Sequence, residues 1–113
     1  MRVMVKPAIF LGDSRKRMRD FPEEAKAVTG RELYRVQCGL DPADWKAMNT
    51  VGVGVREIRV QEAGQFRVIY VAKFAEAIYV LHAFQKNTAQ TPKRDIDLSR
   101  RRFNALAKVR TSQ

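Results

Sequence analysis

Cysteine and histidine each occur only once in this sequence, as Cys38 and His82. One cysteine cannot form an internal disulfide, and one cysteine with one histidine cannot supply the four ligands of a structural zinc site. The sequence has no apolar run near the about 20 residues of a membrane-spanning helix, and its start lacks the apolar core of a secretory signal peptide. We therefore expect a cytoplasmic protein that uses no metal or other cofactor.

An excess of positive charge is the main feature that the composition does show. Lysine and arginine total 22 against 12 acidic residues, which gives a net charge of +10 and a pI of about 10.4. This charge favours polyanions as partners, although a basic, solvated surface is the simpler alternative. With 113 residues, 45% of them hydrophobic, the chain has the size and composition of a single domain that spans residues 1–113.

The first elements along the chain are predicted to be a short strand and a short helix. The strand composition of "MVKPAIFL" (4–11) is interrupted by Pro7, which argues for a late start or an edge position. The stretch "GDSRKRMRDF" then predicts a helix that Asp13 or Ser14 caps.

A second helix and a loop are predicted to follow. Pro22 suits the first helical position, the acids after it suit the helix dipole, and Gly39 suits the helix end. The segment "DPADWKAMNTVGVGV" (41–55) has turn-forming residues at both ends and two glycines. We predict a loop there, with Trp45 packed into the core.

Three runs with strand composition occupy 55–61, 66–73 and 77–84. The short gaps between them predict hairpins and thus an antiparallel meander. The last two runs are apolar on both faces, as covered central strands are. Arg67 and His82 interrupt these two runs, which makes them candidate functional positions.

The rest of the chain predicts a C-terminal helix. Thr91 and Pro92 resemble a helix start, and apolar residues recur at helical spacing afterwards. The run Arg100 to Arg102 is either a solvated face or a phosphate or partner contact. The element order predicts an α+β fold in which an antiparallel sheet carries the two N-terminal helices on one face, with a C-terminal helix, and keeps its other face available.

Four stretches taken in their order and spacing resemble a known family: "PAIFLGDSRKRMRDFPEEAK", "DWKAMNTVGVGVREIRV", "FRVIYVAKFAEAIYVLHAFQKNT" and "TPKRDIDLSRRR". They are similar to the RelE superfamily of bacterial toxins, and within it to the phage-related HigB-like branch. The resemblance covers nearly the whole chain and implies a RelE-like fold. It also implies a toxin that enters the ribosomal A site and cuts mRNA without a metal, with the RNA 2′-hydroxyl as nucleophile. The partners that it implies are mRNA, the ribosome and a helix-turn-helix antitoxin protein.

Such a cleavage needs a proton acceptor, a proton donor for the leaving oxygen and cations around the pentavalent phosphate. By resemblance, Arg67 clamps the scissile phosphate, Lys86 neutralises charge or protonates the leaving group, and Arg59 faces the substrate. Each has a structural alternative. Arg67 can instead pair with Glu57 across the sheet, Arg59 can form a surface pair, and Lys86 can be an ordinary solvated lysine.

His82 is a further catalytic candidate, because its unperturbed pKa lies near neutrality. A packed, hydrogen-bonded histidine is the alternative. Strand alternation places His82, Phe84 and Lys86 on one face, so an RNA base could stack on Phe84, unless Phe84 belongs to the core. Lys46 and Glu57 are secondary candidates for proton transfer, and the sequence assigns no general base. We predict RNA contacts at four positions: Lys46, Arg56, Lys73 and Phe84.

Two functions from different classes stay open at this point. One is the mRNA endoribonuclease of a type II toxin-antitoxin system. The other is a non-catalytic RelE-fold module of phage origin that binds nucleic acid or a protein through its basic face. The presence of Arg67 together with Lys86 favours the enzyme.

Overall fold

A computed structural model describes residues 4–112, and within this range it contains five strands and three helices. In chain order these are β1 (Ala8–Phe10), α1 (Ser14–Arg19), α2 (Glu23–Gln37), β2 (Trp45–Ala47), β3 (Val55–Gln61), β4 (Gln65–Val71), β5 (Ile78–Gln85) and α3 (Lys93–Thr111). None of the helices in this range is long and apolar enough to cross a membrane.

The strands form one sheet in the order β1-β5-β4-β3-β2. The meander of β3, β4 and β5 is antiparallel as predicted, and β2 extends it at one edge. At the other edge β1 runs parallel to β5. The α+β class is therefore confirmed, but the sheet is mixed and not purely antiparallel. Alternation of side chains has the same period in both directions, so it could not reveal the direction of β1.

The helix boundaries follow the proline and glycine positions of the sequence. Pro22 and Pro92 stand immediately before α2 and α3. After α2, Gly39 has a φ of +86°, a left-handed conformation that glycine adopts without strain. Pro7 likewise precedes β1, which is an edge strand as predicted. Asp13 precedes α1 but makes no capping hydrogen bond, because its carboxylate binds Arg17 and Arg102.

The predicted loop over 41–55 contains a short strand instead. Trp45–Ala47 pairs with β3 and forms the edge of the sheet. Trp45 is half-buried there, with the Arg56 guanidinium 3.9 Å from its ring centroid, and is not a core plug. Three residues are too few to show an alternating pattern, which explains why the sequence did not predict this strand.

The helices cover both faces of the sheet, which corrects the prediction of one available face. On one face, α2 packs its apolar residues Ala25, Leu33 and Val36 against β3, β4 and β5. On the other face lie residues of α3, Ile96, Phe103 and Leu106 among them. The sequence showed the apolar spacing of α3 but not the face that it covers.

Candidate functional site

A groove of about 470 Å³ lies on the α3 side of the sheet. Its lining includes cations from three parts of the chain: Lys46 in β2, Arg59 in β3 and Lys86 just after β5. Strand register brings them together, because Lys46 pairs with Glu57, and Arg59 pairs with Arg67 in β4. Directly opposed residues share one face of a sheet. The groove therefore collects basic side chains on the face that α3 leaves partly uncovered.

The floor of the groove holds a buried acid. Glu57 is only 1% exposed, and one of its oxygens lies 3.6 Å from Arg67 Nε and 3.9 Å from Arg59 Nε. The other oxygen accepts a 3.0 Å hydrogen bond from Thr91 Oγ1, which comes from the segment before α3. A buried carboxylate requires such partners, because an isolated buried charge is strongly unfavourable. Glu57 thus lies between two arginines and one hydroxyl.

Arg67 lies deepest among these cations, at 5% exposure. Its Nη1 donates to the Phe66 carbonyl at 2.9 Å. The Nε groups of both Arg67 and Arg59 are buried without a hydrogen-bond partner among the described residues. Burial lowers the pKa of Arg67, against the opposing effect of Glu57, yet an arginine stays charged at neutral pH. The structural pairing of Arg67 with Glu57 is therefore present, and two charged N–H donors still have no acceptor.

Lys86 stands at the rim, where the chain leaves β5. Its backbone N–H donates to the Gln65 carbonyl at 2.7 Å, which fixes the backbone there. Burial lowers the pKa of Lys86, and the charges of Arg67, Arg59 and Lys46 act in the same direction. A lysine with a lowered pKa gives up a proton more readily than an ordinary one. The site thus places a potential proton donor beside two permanent cations.

His82 lies outside the groove, under α3. A β-bulge opposite Ile69 and Tyr70 leaves Leu81 as an extra residue of β5. His82 is fully buried, and its Nε2 lies 2.7 Å from Oδ1 of Asp95 in α3. Burial lowers the pKa of His82, and Asp95 opposes that change. The structure shows the packed, hydrogen-bonded alternative for this residue, so its proposed role in acid-base catalysis stays a prediction without support from the geometry.

Three of the predicted RNA contacts also lie away from the groove. Phe84 is 4% exposed and stacks on His82 with ring centroids 5.1 Å apart, so it belongs to the core. Lys73 follows β4, with its Nζ 5.4 Å from the Phe74 ring centroid. Arg56 faces the α2 side, because its neighbours in β3 point to the α3 side. Strand alternation, applied to β3, would have separated Arg56 from Glu57 and Arg59.

The sequence prediction missed the side chains that α3 and its preceding segment contribute. Thr91 binds Glu57 and Asp95 binds His82, and Gln90 lines the groove. Local sequence patterns do not predict these contacts, because Thr91 and Glu57 are 34 residues apart in the chain and Asp95 and His82 are 13 residues apart. Within residues 4–112, no cluster of three or more histidine, cysteine, aspartate or glutamate residues is placed to hold a metal ion.

Comparison with models of protein families shows which family the chain is related to. Residues 16–104 match the family described as phage-derived protein Gp49-like (DUF891). The match includes every residue of the groove described above. A comparison with curated proteins yields no match. The matched family is part of the RelE/ParE toxin-like superfamily. The chain therefore belongs to the Gp49-like family of phage-derived, toxin-like proteins.

Proposed function

We propose that this chain is the toxin of a type II toxin-antitoxin system and a ribosome-dependent mRNA endoribonuclease of the HigB-like branch. Membership in a toxin-like family supports the toxin class. The observation that carries the enzymatic part is the convergence of Lys46, Arg59 and Lys86 on one groove, with Arg67 behind them. Because the proposed substrate is mRNA in the ribosomal A site, the proposed location of the protein is the cytoplasm.

In the proposed reaction, the RNA 2′-hydroxyl attacks the adjacent phosphorus and the bond to the 5′-oxygen breaks. The products are a 2′,3′-cyclic phosphate and a free 5′-hydroxyl. Arg67 and Arg59 stabilise the negative charge that develops on the phosphoryl oxygens through their guanidinium groups, which stay charged at neutral pH. Lys86, with its lowered pKa, donates the proton to the leaving oxygen.

The 2′-hydroxyl proton needs an acceptor, for which the groove offers Glu57 and, in its neutral form, Lys46. The ribosome supplies the remaining part of the site, because it can hold mRNA with the 2′-hydroxyl in line with the phosphorus. Orientation of this kind accelerates reactions by many orders of magnitude. Free RNA in solution lacks this constraint and should be cut poorly.

The proposed antitoxin is a helix-turn-helix protein that covers the basic face or holds the toxin away from the ribosome. A net charge of +10 favours an acidic surface on such a partner. Induction of the toxin alone should stop bacterial growth, and co-expression of the antitoxin should restore it.

A non-catalytic binding module is the second candidate, and one observation favours it. Arg67 is 5% exposed and faces Glu57 at 3.6 Å, as a purely structural arginine would. In that case the remaining cations would still bind polyanions, without a clamp on one phosphate. RNA binding would be retained, and cleavage would be absent.

One experiment separates these two functions. Purified protein is added to ribosomes that carry a defined mRNA, and RNA ends are mapped with and without EDTA. The enzyme should produce new ends that carry a 2′,3′-cyclic phosphate, insensitive to EDTA, with little cutting of the same RNA free in solution. Ribosome binding without new ends would support the module, and equal cutting of free RNA would contradict the proposed need for the ribosome.

A further inference from the structure

A second cavity, of about 300 Å³, lies on the α2 side of the sheet, opposite the groove. It forms where the residues before β1, the end of α2 and strands β3 to β5 meet. The buried side chains Val36 and Ile78 give it an apolar wall. Its rim carries Leu40 and Met4, which are 53% and 87% exposed. Apolar walls with a few polar groups are typical of sites for small ligands.

Tyr70 supplies the first polar group of this cavity. Its side chain lines the cavity and is 1% exposed. The Arg56 guanidinium lies beside its hydroxyl, and no acceptor for the hydroxyl proton lies within residues 4–112. Buried hydroxyls nearly always have a partner, because leaving one unpaired is costly. Burial raises the pKa of Tyr70 against the opposing effect of Arg56, so the hydroxyl stays protonated at neutral pH and can donate a hydrogen bond. A bound ligand is one source of the missing acceptor.

Two cations line the same cavity. Lys6 Nζ donates to the carbonyls of Ala72 and Phe74 at 2.8 and 2.7 Å, which uses two of the three protons of an ammonium group. Arg56, directly opposite Tyr70 across the strands, uses its Nη1 to bind Asp41 at 2.8 Å. Because a guanidinium has five N–H donors, Arg56 keeps donors for a ligand beside the one that binds Asp41. Lys6 and Arg56 outnumber the single acid Asp41 in the lining, so the cavity suits an anionic group.

We propose that this cavity binds a carboxylate carried on a short branched apolar group. Tyr70, Arg56 and Lys6 hold the carboxylate by charge-assisted hydrogen bonds, and Val36, Leu40 and Ile78 contact the apolar group. The volume of about 300 Å³ is at the small end of ligand sites, enough for one leucine-sized group. Two sources offer this chemistry, a free branched-chain acid and the C-terminal residue of a peptide. The proposal does not depend on RNA cleavage.

Trp45 provides a direct reporter for the test. It is the only tryptophan in the chain, and its ring contacts the Arg56 guanidinium. The purified protein is titrated with isovalerate and with N-acetyl-glycyl-leucine, and Trp45 emission is followed together with backbone amide chemical shifts. Both acids should bind saturably, and their uncharged amides should bind roughly tenfold or more weakly, the scale of a lost hydrogen bond to a charged group. Tighter binding of the peptide would identify a chain end as the source, and tighter binding of isovalerate a free acid.

Matched variants test the residues of the cavity. Tyr70→Phe removes only the hydroxyl and should weaken binding of both acids roughly tenfold, whereas Tyr34→Phe, at a tyrosine that is 56% exposed on α2, should leave it unchanged. Leu40→Asp places an acid at the exposed rim and should also weaken binding, unlike Val53→Asp at a 77% exposed position outside the cavity.

Two results would overturn the proposal. One is the absence of any saturable change up to about 10 mM of either acid, ten times a millimolar Kd. The other is unchanged affinity in a folded Tyr70→Phe protein. If Tyr70→Phe fails to fold, as a thermal melt would show, the exposed Leu40→Asp variant decides in the same way.

Discussion

Thr91 donates a hydrogen bond of 3.0 Å to Glu57 and thereby ties the segment before α3 to the floor of the groove. The same carboxylate faces Arg67 and Arg59 through its other oxygen. Thr91 therefore fixes the orientation of the acid that holds the two arginines in place. Under the proposed function it is a positioning residue.

Replacement of Thr91 by valine should loosen this arrangement. Thr91→Val keeps the shape of the side chain and leaves one buried carboxylate oxygen without its donor, a loss of about 1–3 kcal/mol in the free energy of unfolding. Urea unfolding measures that loss. Thr91→Ser restores the hydroxyl and should restore both stability and cleavage of ribosome-bound mRNA. If Thr91→Ser cuts no better than Thr91→Val, the hydroxyl has no positioning role.

Removal of the proposed clamp should reduce the rate of the chemical step. Arg67→Ala should lose roughly 10²-fold or more in the single-turnover rate of cleavage on the ribosome, the usual scale for one transition-state charge contact. Lys86→Ala should be impaired as well, because it removes the proposed proton donor. Lys93→Ala, at an exposed position at the start of α3, is the matched control and should cut at the normal rate. Circular dichroism must show that each variant is folded. Full activity of folded Arg67→Ala would remove the clamp from the mechanism.

RNA binding should depend strongly on salt. The net charge of +10 and the exposed cations predict several phosphate contacts, and each contact releases counterions from the RNA. The affinity for a generic single-stranded RNA should fall by orders of magnitude between about 50 and 200 mM salt. Fluorescence anisotropy at several salt concentrations gives the slope. A flat slope would show that charge is not what holds the RNA.

Stability should fall in mild acid because of His82. Its folded-state pKa lies below the ordinary value of 6.5, chiefly through burial, so the unfolded chain binds the proton more tightly than the folded one. Stability from this group is complete above pH 6.5 and is lost as the pH falls below it, by at most about 1.4 kcal/mol per pH unit. Urea unfolding of the wild type and of His82→Gln between pH 5 and 7.5 isolates the effect. An equal pH dependence in both proteins would contradict it.

Two glycine substitutions should change stability in opposite directions. A Cβ on Gly52 would lie 2.3 Å from the Phe103 ring, so Gly52→Ala should destabilise the protein by about 1–3 kcal/mol. A Cβ on Gly30 meets nothing within 4 Å in the described structure, and Gly30 lies in the interior of α2. Gly30→Ala should therefore stabilise by about 0.5–1 kcal/mol. Thermal melts of the two variants measure both effects, and a loss of stability in Gly30→Ala would contradict the absence of contacts there.

Most of the local structure follows from the sequence alone. Pro22, Gly39 and Pro92 delimit the helices. Proline fixes the backbone φ angle, and glycine adopts the left-handed conformation that ends a helix. The β3 strand has the predicted bounds, 55–61. The short connections between β3, β4 and β5 produce the antiparallel meander. The basic charge and the candidate cations Arg59, Arg67 and Lys86 were also visible in the sequence.

Only the tertiary structure decided which of these residues meet. Strand register places Lys46 opposite Glu57 and Arg59 opposite Arg67. One bulge puts His82 on the α3 side of the sheet, where α3 covers it and Asp95 binds it. The parallel direction of β1 and the packing of α3 on the second face depend on contacts between distant parts of the chain. Local periodicity carries no information about such contacts, because it records which side of an element is apolar but not which element covers it.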